Sequence, residues 1–225
     1  MKKRITLWLL LAALAKAGRV FADRRYIAAA EELAERLSAA EGPRPRLARA
    51  ALLFALVELY SADFEPSRIA AAASIAGTLG PADCQNADTP SPGRDRALTL
   101  SALGFDALWR LTEEERWRNG SIDILSELGL HPERHGPEAL GALCADFSLA
   151  GTGRSLLCVC PGEETPRTLR TITARYAPDL TALLKTPARA DDLAAVCAWT
   201  AGFPIGAKTL FYPREGGKTG APTGL

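Results

Sequence analysis

The sequence has almost no net charge, and its cysteines lack the spacing of a metal site. Its 27 Lys and Arg residues balance 26 Asp and Glu residues, which leaves a formal net charge of +1 at pH 7. The basic residues are scattered and form no stripe with interleaved aromatic residues, which argues against a nucleic-acid partner. The five cysteines are an odd number without paired spacing, so they fit a thiol-reducing compartment better than a disulfide framework.

The chain also lacks the motifs of common metal, phosphate and hydrolase sites. His131 and His135 have the spacing of helical zinc ligands, but Pro132 interrupts them, and no third ligand or HExxH glutamate is near. The segment GGKTG at 216–220 resembles part of a phosphate loop, but it lacks the earlier glycine and a following helix. No GxSxG elbow is present.

Two cysteines stand close together, at Cys158 and Cys160, in a segment that predicts a strand. Alternation along a strand places both thiols on one face, where buried and inert cysteine is the favoured interpretation. Together with the missing motifs, this leads us to predict no catalytic residues, no cofactor and no metal site.

Alanine and leucine dominate the first 150 residues, in stretches separated by Pro, Gly or charge clusters. This pattern is typical of consecutive antiparallel helices. We predict helices at 5–18, 24–40, 46–61, 66–79, 94–112, 113–128 and 136–149. The segment GPADCQNADTPSPGRDR, between the fourth and fifth helices, predicts a long surface loop.

After residue 151 the pattern becomes β-α-β-α-β. Short apolar runs predict strands at SLLCVC, LTALLK and KTLFYP, with helices after Pro161 and over DDLAAVCAWTAG. The composition therefore predicts a helical domain over 1–150, a small α/β appendage over 151–213 and a flexible Gly/Pro-rich tail over 214–225.

The N-terminal residues allow two incompatible interpretations. Three basic residues, an apolar run and small-x-small sites near residues 15 and 17 are typical of a secretory signal peptide covering 1–17. The same residues could instead form a buried helix of a globular domain. A membrane span is disfavoured, because a run of roughly 11 apolar residues covers only about half of the ~30 Å hydrocarbon core.

Several segments resemble the thioredoxin-domain-containing proteins related to spermatogenesis-associated protein 20. They are AALAKAGRVFADRRYIAAAEELAERL, ALLFALVELYSADFEPSRIAAAASIAGTL, ALTLSALGFDALWRLT after a TPSPG loop, and the tail from SLLCVC to KTLFYP. The resemblance covers nearly all of the chain but only the family's C-terminal third. It implies part of an (α/α)6 barrel similar to N-acylglucosamine 2-epimerases and six-hairpin glycosidases, without the thioredoxin-like domain.

The departures from the family fall on its polar positions. Trp8 is followed directly by Leu9 and Leu10 where the relatives have W-N-G, and Ala48 and Arg49 stand where they have an Asp-Tyr pair. The segment from Pro90 to Arg94 lacks the Asn of their P-S-G-N loop. Pro213 and Arg214 stand where they have cysteines after the last strand. No functional residue can therefore be carried over from the family.

The resemblance favours the helix interpretation of residues 1–17, because ALAKAGRVF matches a segment deep inside the relatives. We expect a cytoplasmic, truncated and non-catalytic relative with about three hairpins of a toroid. Its open ends predict self-association or a protein partner, and a carbohydrate is a candidate ligand. One alternative is a diverged carbohydrate-active epimerase or hydrolase using Glu58, Asp63 and Asp106, and another is a secreted helical-repeat binding protein.

Overall fold

The computed structural model describes residues 2–38, 45–79, 92–128, 154–162, 180–215 and 218–224. It shows a mainly helical protein with a small β-sheet near its C-terminal end. This confirms the prediction of a mainly α fold with a small α/β part. The helix predicted at 136–149, the helix predicted after Pro161, both histidines, Cys84 and Cys144 lie outside the described residues.

Long helices account for most of the described chain up to residue 128. They are α1 (Lys2–Phe21), α2 (Arg24–Ser38), α3 (Arg46–Asp63), α4 (Pro66–Ala76), α5 (Pro92–Thr112) and α6 (Glu115–Leu128). The periodicity of apolar residues located each helix to within a few residues, because that periodicity is the same signal that buries one side of each helix.

The helices form three hairpins, and α3 lies at the centre of the group. It packs against both α1 and α5, so these helices form one row that we call the inner row. The other helix of each hairpin packs against its predecessor, α2 on α1, α4 on α3 and α6 on α5. Because every hairpin turns back at the same end, the helices of the inner row run parallel to one another.

Each hairpin turns through one residue in the left-handed region, and none of these residues is glycine. They are Ala22, Phe64 and Glu113, with φ values of 52°, 55° and 59°. At the last two turns this residue donates its N–H to the carbonyl oxygen four residues earlier, at 2.7 Å in both cases. The next residue in each turn is acidic, and its backbone carbonyl oxygen accepts the N–H of the third residue of the following helix. The three hairpins thus repeat one local structure that the sequence does not advertise, since a glycine usually marks such a turn.

The helices of the inner row can be aligned by counting residues backwards from the left-handed residue that ends each of them, which is Ala22 for α1, Phe64 for α3 and Glu113 for α5. In α5 and α3, positions 16, 12, 9, 5 and 2 before the turn lie on one side of the helix, and all of them are buried. We call this side the receiving face. Its members are Ala97, Ser101, Gly104, Leu108 and Leu111 in α5, and Ala48, Leu52, Ala55, Leu59 and Ala62 in α3.

The closest packing in the row occurs on the receiving face of α5. A Cβ placed on Gly104 would lie 2.5 Å from Cγ of Leu53, which projects from α3 and is fully buried. Leucine on one helix therefore fills the space that the missing side chain leaves on the next. The equivalent positions between α1 and α3 are Leu11 and Ala55, and both are fully buried as well.

Helix α1 is a core element of this structure. Trp8, Leu11 and Ala15 are buried against the rest of the helical core, and each lies within the segment that would be lost with a signal peptide. Among the described helices, none is both long and apolar enough to cross a membrane.

The small sheet contains both parallel and antiparallel pairs. Strand β1 (Arg154–Val159) lies between β2 (Leu180–Lys185), which is parallel to it, and β3 (Leu210–Glu215), which is antiparallel. Between β2 and β3 lie a 3-10 turn at Pro187–Arg189, helix α7 (Ala190–Val196) and a second 3-10 segment at Ala198–Gly202. The helix predicted over DDLAAVCAWTAG is therefore split at Cys197.

The sequence predicted a flexible tail from residue 214, and the structure corrects this. Strand β3 continues through Arg214 and Glu215, and β4 (Lys218–Thr219) pairs with those two residues. Strand β5 (Thr223–Gly224) pairs with Leu210 and Phe211. The backbone groups of β3 that do not face β1 supply these partners, and composition alone does not show which segment will reach an open sheet edge.

The segment after β2 is fastened to the turn between α3 and α4 by Arg189. Its Nη1 donates to the carbonyl oxygens of Asp63 and Phe64, at 3.2 and 3.0 Å. Its Nη2 lies 3.1 Å from the Glu65 carboxylate. One guanidinium thus holds the end of α3, whose last carbonyl groups have no partner within the helix.

A second set of contacts fastens the sheet to the turn between α5 and α6. The indole N–H of Trp199 donates to the carbonyl oxygen of Leu111 at 2.9 Å. Arg214 pairs with Glu113, whose carboxylate lies 2.6 Å away, and its guanidinium stacks 3.9 Å above the Trp199 ring. Both hairpin turns are therefore capped by side chains from the C-terminal part.

We expect Gly104→Ala to destabilise the protein and Gly120→Ala to stabilise it. The helix-propensity gain of about 1 kcal/mol applies to both, but overpacking against Leu53 costs about 1–3 kcal/mol at residue 104. At residue 120 the nearest atoms are 3.8 Å away, on the Phe105 ring, so the new methyl group fits. Urea unfolding measures both changes, and equal effects of the two substitutions would contradict the close packing.

We expect Arg214→Ala to lower the free energy of unfolding by about 1–3 kcal/mol, because it leaves the half-buried Glu113 carboxylate without its partner. The matched control is Arg36→Ala, which breaks an exposed pair with Glu32 and should cause no measurable change. Chemical unfolding followed by tryptophan fluorescence compares the two, and an Arg214→Ala protein as stable as the control would show that the clamp carries no free energy.

Candidate functional site

The acids that the sequence nominated for catalysis are each engaged by cations. Glu58 lies near the middle of the inner row, with Oε1 3.6 Å from Lys16 Nζ and Oε2 3.5 Å from Arg19 Nη2. Its side chain is only 14% exposed. Since both cations come from α1, Glu58 joins the first two helices of the row.

Asp106 pairs with Arg110 on the next turn of α5, at 3.3 Å. The Asp106 side chain is buried, as is most of Arg110. The pair lies within one helix at a spacing of four residues, where opposite charges stabilise the helix itself.

Asp63 stands at the end of α3 and serves the turn. Its Oδ1 accepts the Glu65 N–H at 2.9 Å, and its Oδ2 lies 3.1 Å from Nε of Arg68. Burial raises the pKa of the Asp63 carboxyl, and the Glu65 N–H and Arg68 oppose that rise. Hydrogen bonds to the following N–H groups are the usual role of an aspartate that precedes a helix.

Each of the three acids is held in an ion pair, whereas glycoside hydrolysis requires two carboxyl groups that act on one bond. Such catalysis needs one protonated acid and one carboxylate flanking the same bond. Each acid in this group has its own cationic partner and its own structural task. The geometry supports ion-paired scaffold residues more than an acid and base at one mouth.

A cavity of about 560 Å³ opens at the end of the sheet where β1 and β2 begin. A row of alternating charges crosses three strands of the sheet, because Glu215 on β3 lies opposite Arg154 on β1 and opposite Lys218 on β4. Leu156, Leu180 and Pro213 supply apolar lining. The volume is in the range of small-molecule pockets, and a charged row beside an apolar floor can orient a ligand.

Part of the glycine-rich segment set aside by the sequence analysis lines this cavity. Lys218, Thr219 and Gly220 are in it, but the first two are paired in β4 and the Gly220 N–H donates to the carbonyl oxygen of Pro213 at 2.8 Å. A phosphate loop instead points several N–H groups at the ligand from a helix start. The segment is part of a sheet edge in this structure.

The described cysteines are buried thiols. Cys158, Cys160 and Cys197 are fully buried and form no disulfide. The Thr209 hydroxyl donates to Cys160 Sγ at 3.6 Å. Within the described ranges, no three His, Cys, Asp or Glu side chains are grouped so that they could hold a metal ion.

Sequence reasoning missed two polar side chains that the fold buries. Lys185, in β2, donates from Nζ to the carbonyl oxygens of Thr200 and Phe203, each at 2.8 Å, and burial lowers its pKa. In the sequence, Arg214 stands out only as a departure from the pattern of the family that the chain resembles. Neither had a signal in the sequence, because the partners are distant carbonyl groups or a distant carboxylate.

We expect Cys158, Cys160 and Cys197 to resist alkylation by iodoacetamide at pH 8 in the folded protein and to react after denaturation. Burial raises the pKa of the Cys197 thiol to about 12, so its reactive thiolate is scarce at that pH. Peptide mass spectrometry of the labelled chain gives the result. Rapid labelling of Cys197 without denaturant, or a large fall in melting temperature on adding reductant, would contradict this description.

Comparisons of the chain with family models, with curated proteins and with solved structures found no match.

Proposed function

We propose that this protein is a non-catalytic helical-hairpin protein with a binding or scaffolding role, built as part of an (α/α)6 toroid. The observation that carries the proposal is the inner row of parallel helices, whose three hairpins share one turn and one register. Toroids of this class are made by repeating such hairpins around an axis. The proposed family relationship rests on the quoted sequence segments and on this hairpin arrangement.

The engagement of the nominated acids supports a role without catalysis. Glu58, Asp63 and Asp106 hold helices and turns together through Lys16, Arg19, Arg68 and Arg110. An enzyme active site instead keeps at least one titratable group available to a substrate. The carbohydrate-active enzyme remains the alternative, with a sugar as its substrate.

The secreted binding protein is the second alternative, and it differs in the fate of residues 1–17. We expect a cytoplasmic protein that keeps this segment, because its loss would remove Trp8, Leu11 and Ala15 from the core at about 1.5–3 kcal/mol for each large apolar side chain. Mass spectrometry of the protein from its native cells tests this. A mature chain beginning at Lys16 or Gly18 would favour secretion.

A scaffold and an enzyme differ in sugar turnover and in what substitution of Glu58 changes. In a scaffold, Glu58→Gln lowers the free energy of unfolding by about 1 kcal/mol through loss of the ion pairs, and there is no sugar turnover to lose. The experiment measures epimerase and glycosidase turnover of the parent chain on a panel of sugars, with calorimetry for sugar binding. Turnover that disappears in Asp63→Asn or Asp106→Asn would make the protein an enzyme.

A further inference from the structure

The receiving face is exposed on only one helix of the inner row. In α3 and α5 all five positions are buried, because another helix of the row or the core covers them. In α1 the same positions are Thr6, Leu10, Ala13, Ala17 and Val20. All of these are exposed except Ala17, which is half-buried. The side chain of Leu10 is 47% exposed and that of Val20 is 40% exposed.

This exposure continues onto the end of the first hairpin. Phe21 is 67% exposed and lies beside Tyr26 of α2, with 6.1 Å between the ring centroids. Leu10, Val20, Phe21 and Tyr26 account for four of the five large apolar residues that are exposed in the described part of the chain. Clustering of exposed apolar residues on one side marks an interaction surface, whereas single exposed residues do not.

The other end of the inner row offers no matching surface for a head-to-tail contact. The side of α3 that packs on α5 carries Leu53, which lies 11 residues before the turn residue of its hairpin. The side of α5 at the equivalent positions contains Thr99, Ala102 and Asp106. These three residues of α5 are buried, and Ala102 stands where α3 has the projecting leucine. A second copy therefore cannot place its α5 against the receiving face of α1 as α3 is placed against α5.

The receiving face of α1 is complementary to itself in an antiparallel arrangement. Thr6 and Val20 each lie seven residues from Ala13, and Leu10 and Ala17 lie three and four residues from it. An antiparallel pair of α1 helices crossing at Ala13 thus places Leu10 of one copy over Ala17 of the other. Large residues then meet small ones, and the central alanines let the helix axes approach closely.

We propose that two copies of this chain form a two-fold dimer through the receiving face of α1, with the α1 helices antiparallel and Ala13 near the axis. This deepens the proposed binding role, on which it rests, by naming the partner of the open end of the row. One helix pair about 30 Å long makes a small interface, so the dissociation constant is expected in the micromolar range.

Sedimentation equilibrium of the full chain tests the dimer directly. The parent chain should pass from monomer to dimer as its concentration rises through the micromolar range, and Leu10→Glu should weaken the dimer at least about tenfold by placing a carboxylate in the contact. The matched control is Ile122→Glu, which changes a residue that is 41% exposed on α6. The control should associate like the parent, and circular dichroism confirms that both variants fold.

Cysteine trapping tests the orientation. Under mild oxidation, Ala13→Cys should form a disulfide between copies, and the exposed Ala29→Cys on α2 should give no more dimer than the parent chain. Thr6→Cys and Val20→Cys should each fail alone and form a linked dimer when mixed. Trapping by Thr6→Cys alone would overturn the antiparallel arrangement.

A chain that stays monomeric at all concentrations would overturn the dimer. Binding of an apolar dye to the monomer then shows whether the proposed binding role fails as well. If the monomeric parent binds the dye and Leu10→Glu does not, the face is open to a different protein and the binding role stands. If the monomer binds no dye, the open end of the row does not exist, and both proposals are wrong.

Discussion

The close approach of parallel helices in the inner row is the constraint on which the rest of the structure depends. Leu53 fills the space beside Gly104, and Leu11 stands at the equivalent position of α1. Small residues on the receiving face allow backbones to approach until the large residues of the neighbouring helix reach them. Any residue larger than glycine at Gly104, or larger than alanine at Ala55, would separate the helices and loosen the whole row.

The left-handed turns follow from that constraint. If the inner helices are parallel and in register, every hairpin must reverse at the same height, and one residue with positive φ provides the reversal at Ala22, Phe64 and Glu113. A left-handed conformation is unfavourable for these side chains. Packing of the helices and the caps donated by Arg189, together with the pairing of Glu113, compensates for that cost.

The C-terminal sheet is part of the same design, because it covers two of the three turns. Arg189 reaches the turn after α3, and Arg214 with Trp199 reaches the turn after α5. In the described part of the chain, no such side chain from the sheet region is bonded to the first turn, at Ala22. The first hairpin therefore differs from the other two both at its turn and on its exposed side, which concentrates the open surface of the molecule around α1.

The sequence by itself determined the long helices, strands β1 to β3 and the absence of recognisable catalytic motifs, because apolar periodicity and turn residues are local properties. It predicted α2 and α3 within a few residues, and through the family resemblance it favoured a core helix over a signal peptide for residues 1–17. Only the tertiary structure shows which cations pair with Glu58, Asp63 and Asp106 and which side of α1 is exposed. It also placed the tail on β3, which composition had assigned to a flexible end. Ion pairs such as Glu58 with Arg19, and contacts such as Leu53 on Gly104, join residues far apart in the chain. Local sequence carries no record of such partners, so these long-range contacts are seen only in the tertiary structure.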